Sequence, residues 1–323
     1  MNIIHRYRHH LYSQNTHSKG ERMKTLKWVA IILVIMIVPL VIAIAGLHFA
    51  GQQRLNKAPD VALATVSPAT DEAGLERGQY LASISGCTSC HGEDLRGEVF
   101  IDEAPIGYVP APNLTSGAGG IGATYTDADW ESAIRHGVAA DGRMMVTMPA
   151  DHYAHYGDDD LAALIGYLKS VPPVDNDLGP RRIQFPGTVI FGVLAHTSWP
   201  VNVIDHASVG GNAPEAAPSA EYGAYMVSIM SCQSCHAENL AGNYGQLDTP
   251  QGPNITLGGE VAGWSEEDFA RTLRTGTTPD GELLKTTAEG GMPWPQYAGL
   301  SDTEVQALWA YINSLEPLPN NTP

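Results

Sequence analysis

Basic residues are scarce in this 323-residue chain: 18 lysines and arginines stand against 35 aspartates and glutamates. Seven of those bases (Arg6, Arg8, Lys19, Arg22, Lys24, Lys27 and Arg54) fall within residues 1–54, beside a single acid, Glu21. The remainder therefore sets 11 bases against 34 acids. A field of that sign repels a phosphate backbone, which excludes DNA or RNA as a partner, and it steers basic partners toward the globular part. Alternation is also missing. No segment alternates apolar and polar residues for long enough to predict a sheet, which leaves helices joined by loops. Cysteine is sparse as well, at four residues. Apolar residues are not lacking: at 43% they allow folded cores, and the length suffices for two ordinary domains plus extras.

One stretch lacks charge altogether. Trp28–Leu47, "WVAIILVIMIVPLVIAIAGL", is 20 residues long, enough to cross a bilayer core at about 1.5 Å per residue. Basic residues precede it, which predicts a cytoplasmic N-terminus and an exported remainder. A soluble core helix is rarely apolar on every face. The rival is a cleaved signal peptide, because Ala43–Ala45 reads "AIA", a small-x-small cleavage pattern; against it, the run exceeds a usual signal core of about 7–15 residues. Pro39 is tolerated in a membrane helix.

All four cysteines lie in two copies of Cys-x-x-Cys-His, at Cys87, Cys90, His91 and at Cys232, Cys235, His236. An isolated Cys-x-x-Cys reads as a redox pair, half a zinc site or a disulfide. The following histidine changes the reading: two thiols add across the vinyl groups of a haem, and the adjacent imidazole reaches the iron from the same side. The cofactors expected are two covalently bound haem c groups.

Self-similarity extends far beyond the cysteines. Gly78 matches Gly223, Tyr80 matches Tyr225, "APNLT" at 111–115 matches "GPNIT" at 252–256, and "MPADHY" matches "MPWPQY". Copies of one domain are expected at 70–178 and 216–320. A cytoplasmic segment (1–27), an anchor (28–50) and a linker (51–69) precede them, and an inter-domain segment (179–215) separates them. The last third of that segment is rich in Gly, Pro, Ala and Ser and reads as a free linker. Its earlier part, with Phe185, Phe191 and Trp199, is too apolar to be free and is expected to pack on a domain. Within each copy, Thr126 with Asp129, Ser265 with Asp268 and Ser301 with Glu304 mark helix starts, and Gly137 and Gly276 mark helix ends. Long loops inside so compact a domain are unusual unless they wrap a large rigid disc.

His91 and His236 supply one iron ligand each. A methionine opposite raises the potential and closes the iron to substrates, whereas an open position admits peroxide chemistry. Beyond His236 the chain has no histidine and one methionine, Met292. Its counterpart Met148 is also followed by proline, with Met144, Met145, His136, His152 and His155 as competitors. Pro112 and Pro253 sit where a loop carbonyl can accept the other ring N–H of each histidine; an ordinary turn is the alternative. Arg135 and Arg274, at matching helix ends, read as partners of haem propionates or as solvated residues. Tyr80, Tyr225, Tyr167 and Tyr311 read as core residues where helices cross, with redox relays as the alternative.

Together these residues resemble class I c-type cytochromes over about two-thirds of the chain. The string "PNLT…GIG…TDADW…IRHG…DGR…MP" is similar to cytochrome c subunits of membrane-bound bacterial alcohol and sugar dehydrogenases. Those subunits usually hold three such domains, where two are found here. The resemblance implies an all-α fold with two tandem class I cytochrome c domains behind one N-terminal transmembrane helix. It implies periplasmic electron transfer in a bacterial respiratory chain, without chemistry on a substrate. The expected partners are the membrane and a dehydrogenase, a quinol-oxidising complex or a terminal oxidase. A dihaem peroxidase is the rival from another class, since a histidine switch at the first haem would open one iron.

Overall fold

The computed structural model describes residues 4–244 and 251–321, with side chains described from Arg22 onward. The basic side chains Arg6, Arg8 and Lys19 of the N-terminal segment lie outside that range. Helix α1 (Ile4–Asn56) carries the apolar run. It is long and apolar enough to cross a membrane, and none of its most apolar stretch is buried.

The first copy comprises α2 (Glu72–Ile84), α3 (Cys87–His91), strands β1 (Glu98–Glu103) and β2 (Gly107–Ala111), α4 (Asp127–His136), α5 (Ala150–Tyr153) and α6 (Asp158–Ser170). After it come β3 (Arg182–Ile183), α7 (Gly187–Val189) and α8 (Pro200–Val203). The second copy repeats the helices as α9 (Ala220–Ile229), α10 (Gln233–His236), α11 (Glu266–Thr275), α12 (Trp294–Tyr297) and α13 (Asp302–Ser314). The expected caps form: both side chain–backbone bonds of the capping box are present at α4, α11 and α13, and Gly137 and Gly276 close α4 and α11 in the left-handed conformation.

In each copy the first helix crosses the last at a glycine. A Cβ on Gly78 would lie 2.0 Å from the carbonyl oxygen of Ala163, and one on Gly223 would lie 2.0 Å from that of Ala307. Only a residue without a side chain permits so close an approach. Leu81, Ile84, Leu161, Leu164 and Ile165 close the first core, and Tyr222, Met226, Val305, Leu308 and Ile312 the second.

Three features depart from the sequence reading. First, a sheet exists. β1 and β2 pair antiparallel from Glu98↔Ala111 to Glu103↔Gly107, and β3 adds to β2. Most of β1 is exposed on both faces, so it has no in–out alternation to read. Second, residues 51–69 are strapped down. Leu55 and Val66 are buried, Ala58 N donates to Gly142 O at 2.8 Å, and Ala69 N donates to Ala162 O at 2.9 Å. Third, the small-residue end of the inter-domain segment also lies on the first copy. Asp158 N donates to Gly211 O at 2.7 Å, and His206 meets the buried His136 at 2.8 Å between their Nδ1 atoms.

The copies face each other about an approximate two-fold axis. Tyr80 Oη donates to Glu304 at 2.6 Å, and Tyr225 Oη donates to Asp160 at 2.5 Å. Likewise Gln296 Nε2 donates to Ser89 Oγ, while Ser234 Oγ pairs with His152 Nε2 at 2.9 Å. Each contact joins equivalent positions in opposite order. Tyr80 and Tyr225 therefore do more than fill helix crossings: their hydroxyls join the copies. Arg77 is bidentate to Asp160 of its own copy at 2.9 and 3.0 Å and lies 3.7 Å from Glu304 of the other. Burial works against its charge but is outweighed by Asp160, so the guanidinium stays protonated beyond its ordinary range.

Candidate haem sites

Each Cys-x-x-Cys-His forms a single helical turn after the first helix of its copy. In the first copy the chain returns from the histidine through Leu95, in the left-handed region at φ 58°, and Gly97, whose Cβ would lie 2.5 Å from the Asn113 amide. Leu240, at φ 58°, and Gly242, 2.7 Å from the Asn254 amide, repeat the arrangement. Gly97 N donates to His91 O at 2.7 Å, and Gly242 N to His236 O at 2.9 Å. This tight return sets the Pro-Asn loop beside the histidine. Asn113 Nδ2 then fixes the loop to Val174 O at 2.7 Å, and Asn254 Nδ2 does so to Leu318 O at 2.8 Å.

The result is the same short bond twice. His91 Nδ1 donates to Pro112 O at 2.7 Å, and His236 Nδ1 donates to Pro253 O at 2.7 Å. A carbonyl only accepts, so Nδ1 carries the proton in each ring and Nε2 keeps a free lone pair. Burial, opposed in part by the proline carbonyl, holds both imidazoles below their ordinary pKa and hence neutral. A neutral ring of fixed tautomer and orientation is the form that ligates a metal.

A cavity of about 390 Å³ opens against this ring in the first copy. Cys87, Cys90, His91, Pro112 and Met148 all line it. So do Met144 and Met145, whereas the competing histidines do not: His136 is bonded to His206 and His152 to Ser234. Burial first, and then the neighbouring cysteine, push the Cys87 and Cys232 thiols up to about 12. In the second copy Met292 packs against the core as Met148 does. Tyr153 Oη donates to Ser85 O at 2.6 Å from the helix behind the first Met-Pro turn, and Tyr297 reaches Met230 O at 3.5 Å behind the second. These residues fit a haem: two thiols and a tautomer-locked imidazole on one wall, and thioether side chains in the same apolar space.

A family model for cytochrome c matches the chain twice, over residues 75–172 and 220–316, which together exceed half its length. The chain belongs to the cytochrome c family. It is 30% identical to a "Diheme cytochrome c-type" of Cereibacter sphaeroides, over 73% of this chain and 84% of that one. It is 29% identical to the "Fructose dehydrogenase cytochrome subunit" of Gluconobacter japonicus, over 75% of this chain and 52% of the relative. It is 28% identical to the "Alcohol dehydrogenase (quinone), cytochrome c subunit" of Gluconacetobacter polyoxogenes, over 78% and 58%. The chain thus spans little more than half the length of those two dehydrogenase subunits. Two cytochrome c domains and a dihaem relative account for two haem c groups.

Arg135 and Arg274 each find partners within their own copy. Arg135 Nη2 donates to Tyr156 O at 2.7 Å and Asp158 at 2.6 Å. Arg274 Nη2 donates to Leu300 O at 2.7 Å and Asp302 at 2.8 Å. Each ties the end of one helix to the start of the last helix in its copy. The pairs that join the copies were invisible as partners in the sequence. The only signal was that Tyr80 and Tyr225, and likewise Ser89 and Ser234, recur at matched positions.

Proposed function

We propose that this chain is a membrane-anchored dihaem cytochrome c that carries electrons on the periplasmic side of a bacterial membrane. Cys87 and Cys90 would hold the first haem covalently, with His91 and Met148 offered to its iron. Cys232, Cys235, His236 and Met292 would do the same for the second. The observation that carries this reading is the bond from each histidine Nδ1 to a proline carbonyl at 2.7 Å, made identically in both copies. When bound, haem c supplies reversible one-electron chemistry at iron. The chain's residues do the rest. Pro112 and Pro253 orient the imidazoles, the apolar walls exclude water, and the Met-Pro turns would offer sulfur to the iron. Arg77, Tyr80 and Tyr225 fix the spacing of the two sites. The acidic surface guides a basic partner.

Relatives named as subunits of fructose, alcohol and gluconate dehydrogenases support a dehydrogenase as the electron donor. The single apolar helix supports attachment to the membrane.

An optical redox titration of the holoprotein tests the ligand assignment. Two low-spin haems with the ferric charge-transfer band of a sulfur ligand are expected. Met148→Ala and Met292→Ala should each remove half of that band. A high-spin haem in the unaltered protein, or a full band in Met148→Ala, would overturn it.

A further inference from the structure

Between Ile183 and Ile204 the chain holds no Asp, Glu, Lys or Arg, in a region otherwise dominated by acids. The stretch folds as α7, a π turn (Ile190–Leu194), a 3-10 turn (His196–Ser198) and α8. It packs along the C-terminal end of α1. His48 Nδ1 meets Thr188 Oγ1 at 2.7 Å. A Cβ on Gly51 would lie 2.1 Å from Thr188 O, and one on Gly192 would lie 2.3 Å from Gly51 O. Two glycines thus let the backbones touch. The inner side is well made: Val201 is buried, and Trp199 Nε1 donates to Phe191 O at 2.7 Å.

The outer side exposes large apolar residues beside uncharged polar ones, Gln184, Thr197, Ser198 and Asn202. Phe185 is 48%, Leu194 73% and Val203 54% exposed, and on α1 Leu47 and Phe49 are exposed too, at 44% and 63%. Cations flank the segment and the end of α1. Arg54 follows on α1 and Lys57 lies one residue past its end, Arg182 lies over the Tyr108 ring at 4.6 Å, and among the described residues none of the three forms a salt bridge.

Height along α1 identifies what covers the face. The apolar run ends at Leu47, so the contacts at His48 and Gly51 lie about 1.5–6 Å further along the axis. That is the level of the headgroups if the run spans the hydrocarbon core. Interfacial segments sit at this depth, about 5–10 Å into the headgroup and acyl boundary, with apolar residues inward and bases at the lipid phosphates.

We propose that Phe185–Val203 is a second, non-spanning membrane contact: it lies in the interfacial layer of the bilayer that α1 crosses, with Arg54, Lys57 and Arg182 at anionic headgroups. The inference rests on reading α1 as a membrane span. A bilayer covers the apolar face continuously with the lipid around α1, and the unpaired cations match its phosphates.

The test uses the full-length holoprotein in nanodiscs containing phosphatidylglycerol. Its native cysteines are consumed by thioether bonds, so one added cysteine takes one nitroxide. Leu194→Cys reports the segment, Val34→Cys the span, and Leu283→Cys, 64% exposed in the second copy, the water phase. Power saturation compares accessibility to oxygen with that to a nickel chelate. Leu194 should favour oxygen several-fold over Leu283, as Val34 does. Lipid-like values at Val34 with water-like values at Leu194 would overturn the inference and leave the span intact. Water-like values at Val34 would overturn both. Shielding of Leu194 from both reagents would mean that protein covers the face, which also overturns the inference.

Discussion

The Tyr80 hydroxyl donates to Glu304 of the other copy at 2.6 Å, and Tyr225, at the matched position, donates to Asp160 at 2.5 Å. Burial first, and then the facing carboxylate, push both phenols above their ordinary range, so neither ionises in mild alkali. Hydrogen bonds to charged groups contribute about 1.5–3 kcal/mol. Tyr80→Phe and Tyr225→Phe should each lower stability by that order. Denaturant unfolding of the holoprotein measures the loss, and a Tyr80→Phe/Glu304→Gln double-mutant cycle isolates the pair. Strict additivity would mean that the bond contributes nothing.

His152 pairs with Ser234 where Gln296 pairs with Ser89. Burial lowers the His152 pKa, against the charges of Asp151 and Glu238. The unfolded chain therefore takes up its proton at higher pH than the folded one. Stability from this group is present above the unfolded value near 6.5 and is lost as pH falls through it. His152→Gln should make the fall in stability between pH 7 and pH 5 shallower, measured as melting temperature. An unchanged slope would exclude His152 as a contributor.

The glycine crossings admit no methyl group. Gly78→Ala and Gly223→Ala each place a carbon 2.0 Å from a carbonyl oxygen. Overpacking of this kind costs about 1–3 kcal/mol, and rigid backbone pushes it to the upper end. Gly299, where an added methyl would meet nothing within 4 Å, is the control: Gly299→Ala should melt near the parent temperature.

Arg135 and Arg274 make the same bonds at different depths. The Arg135 side chain is fully buried, whereas that of Arg274 is 29% exposed and its partner Asp302 is 87% exposed. Arg135→Ala should cost about 3–5 kcal/mol, since it also removes the cation that lies 3.8 Å from buried Glu131. Arg274→Ala should cost about 1 kcal/mol or less from the lost ion pair. Equal losses in calorimetry would show that burial does not set the difference.

What the sequence announced was local. The Cys-x-x-Cys-His turns, the capping boxes and the closing glycines depend on residues a few positions apart, and all form where the spacing put them. The duplication was equally legible because it is a comparison of the chain with itself. The β1–β2 hairpin was not, since Val99 and Phe100 are both exposed and give no alternation. The strapping of residues 51–69 was hidden for a related reason: a polar, Pro-containing string reads as free until a surface with matching backbone groups is known. The bond from Arg135 to Tyr156 O was hidden too, because the sequence does not record that this carbonyl lies within reach.

The approximate two-fold axis has a consequence for each half alone. Every copy carries both sides of the contact that joins it to the other: Tyr80 with Asp160 and Ser89 with His152 in the first, Tyr225 with Glu304 and Ser234 with Gln296 in the second. Such a face is self-complementary, as in a symmetric dimer of identical subunits. The covalent chain between the copies thus keeps unlike halves together at high effective concentration, where separate halves would compete to pair with their own kind.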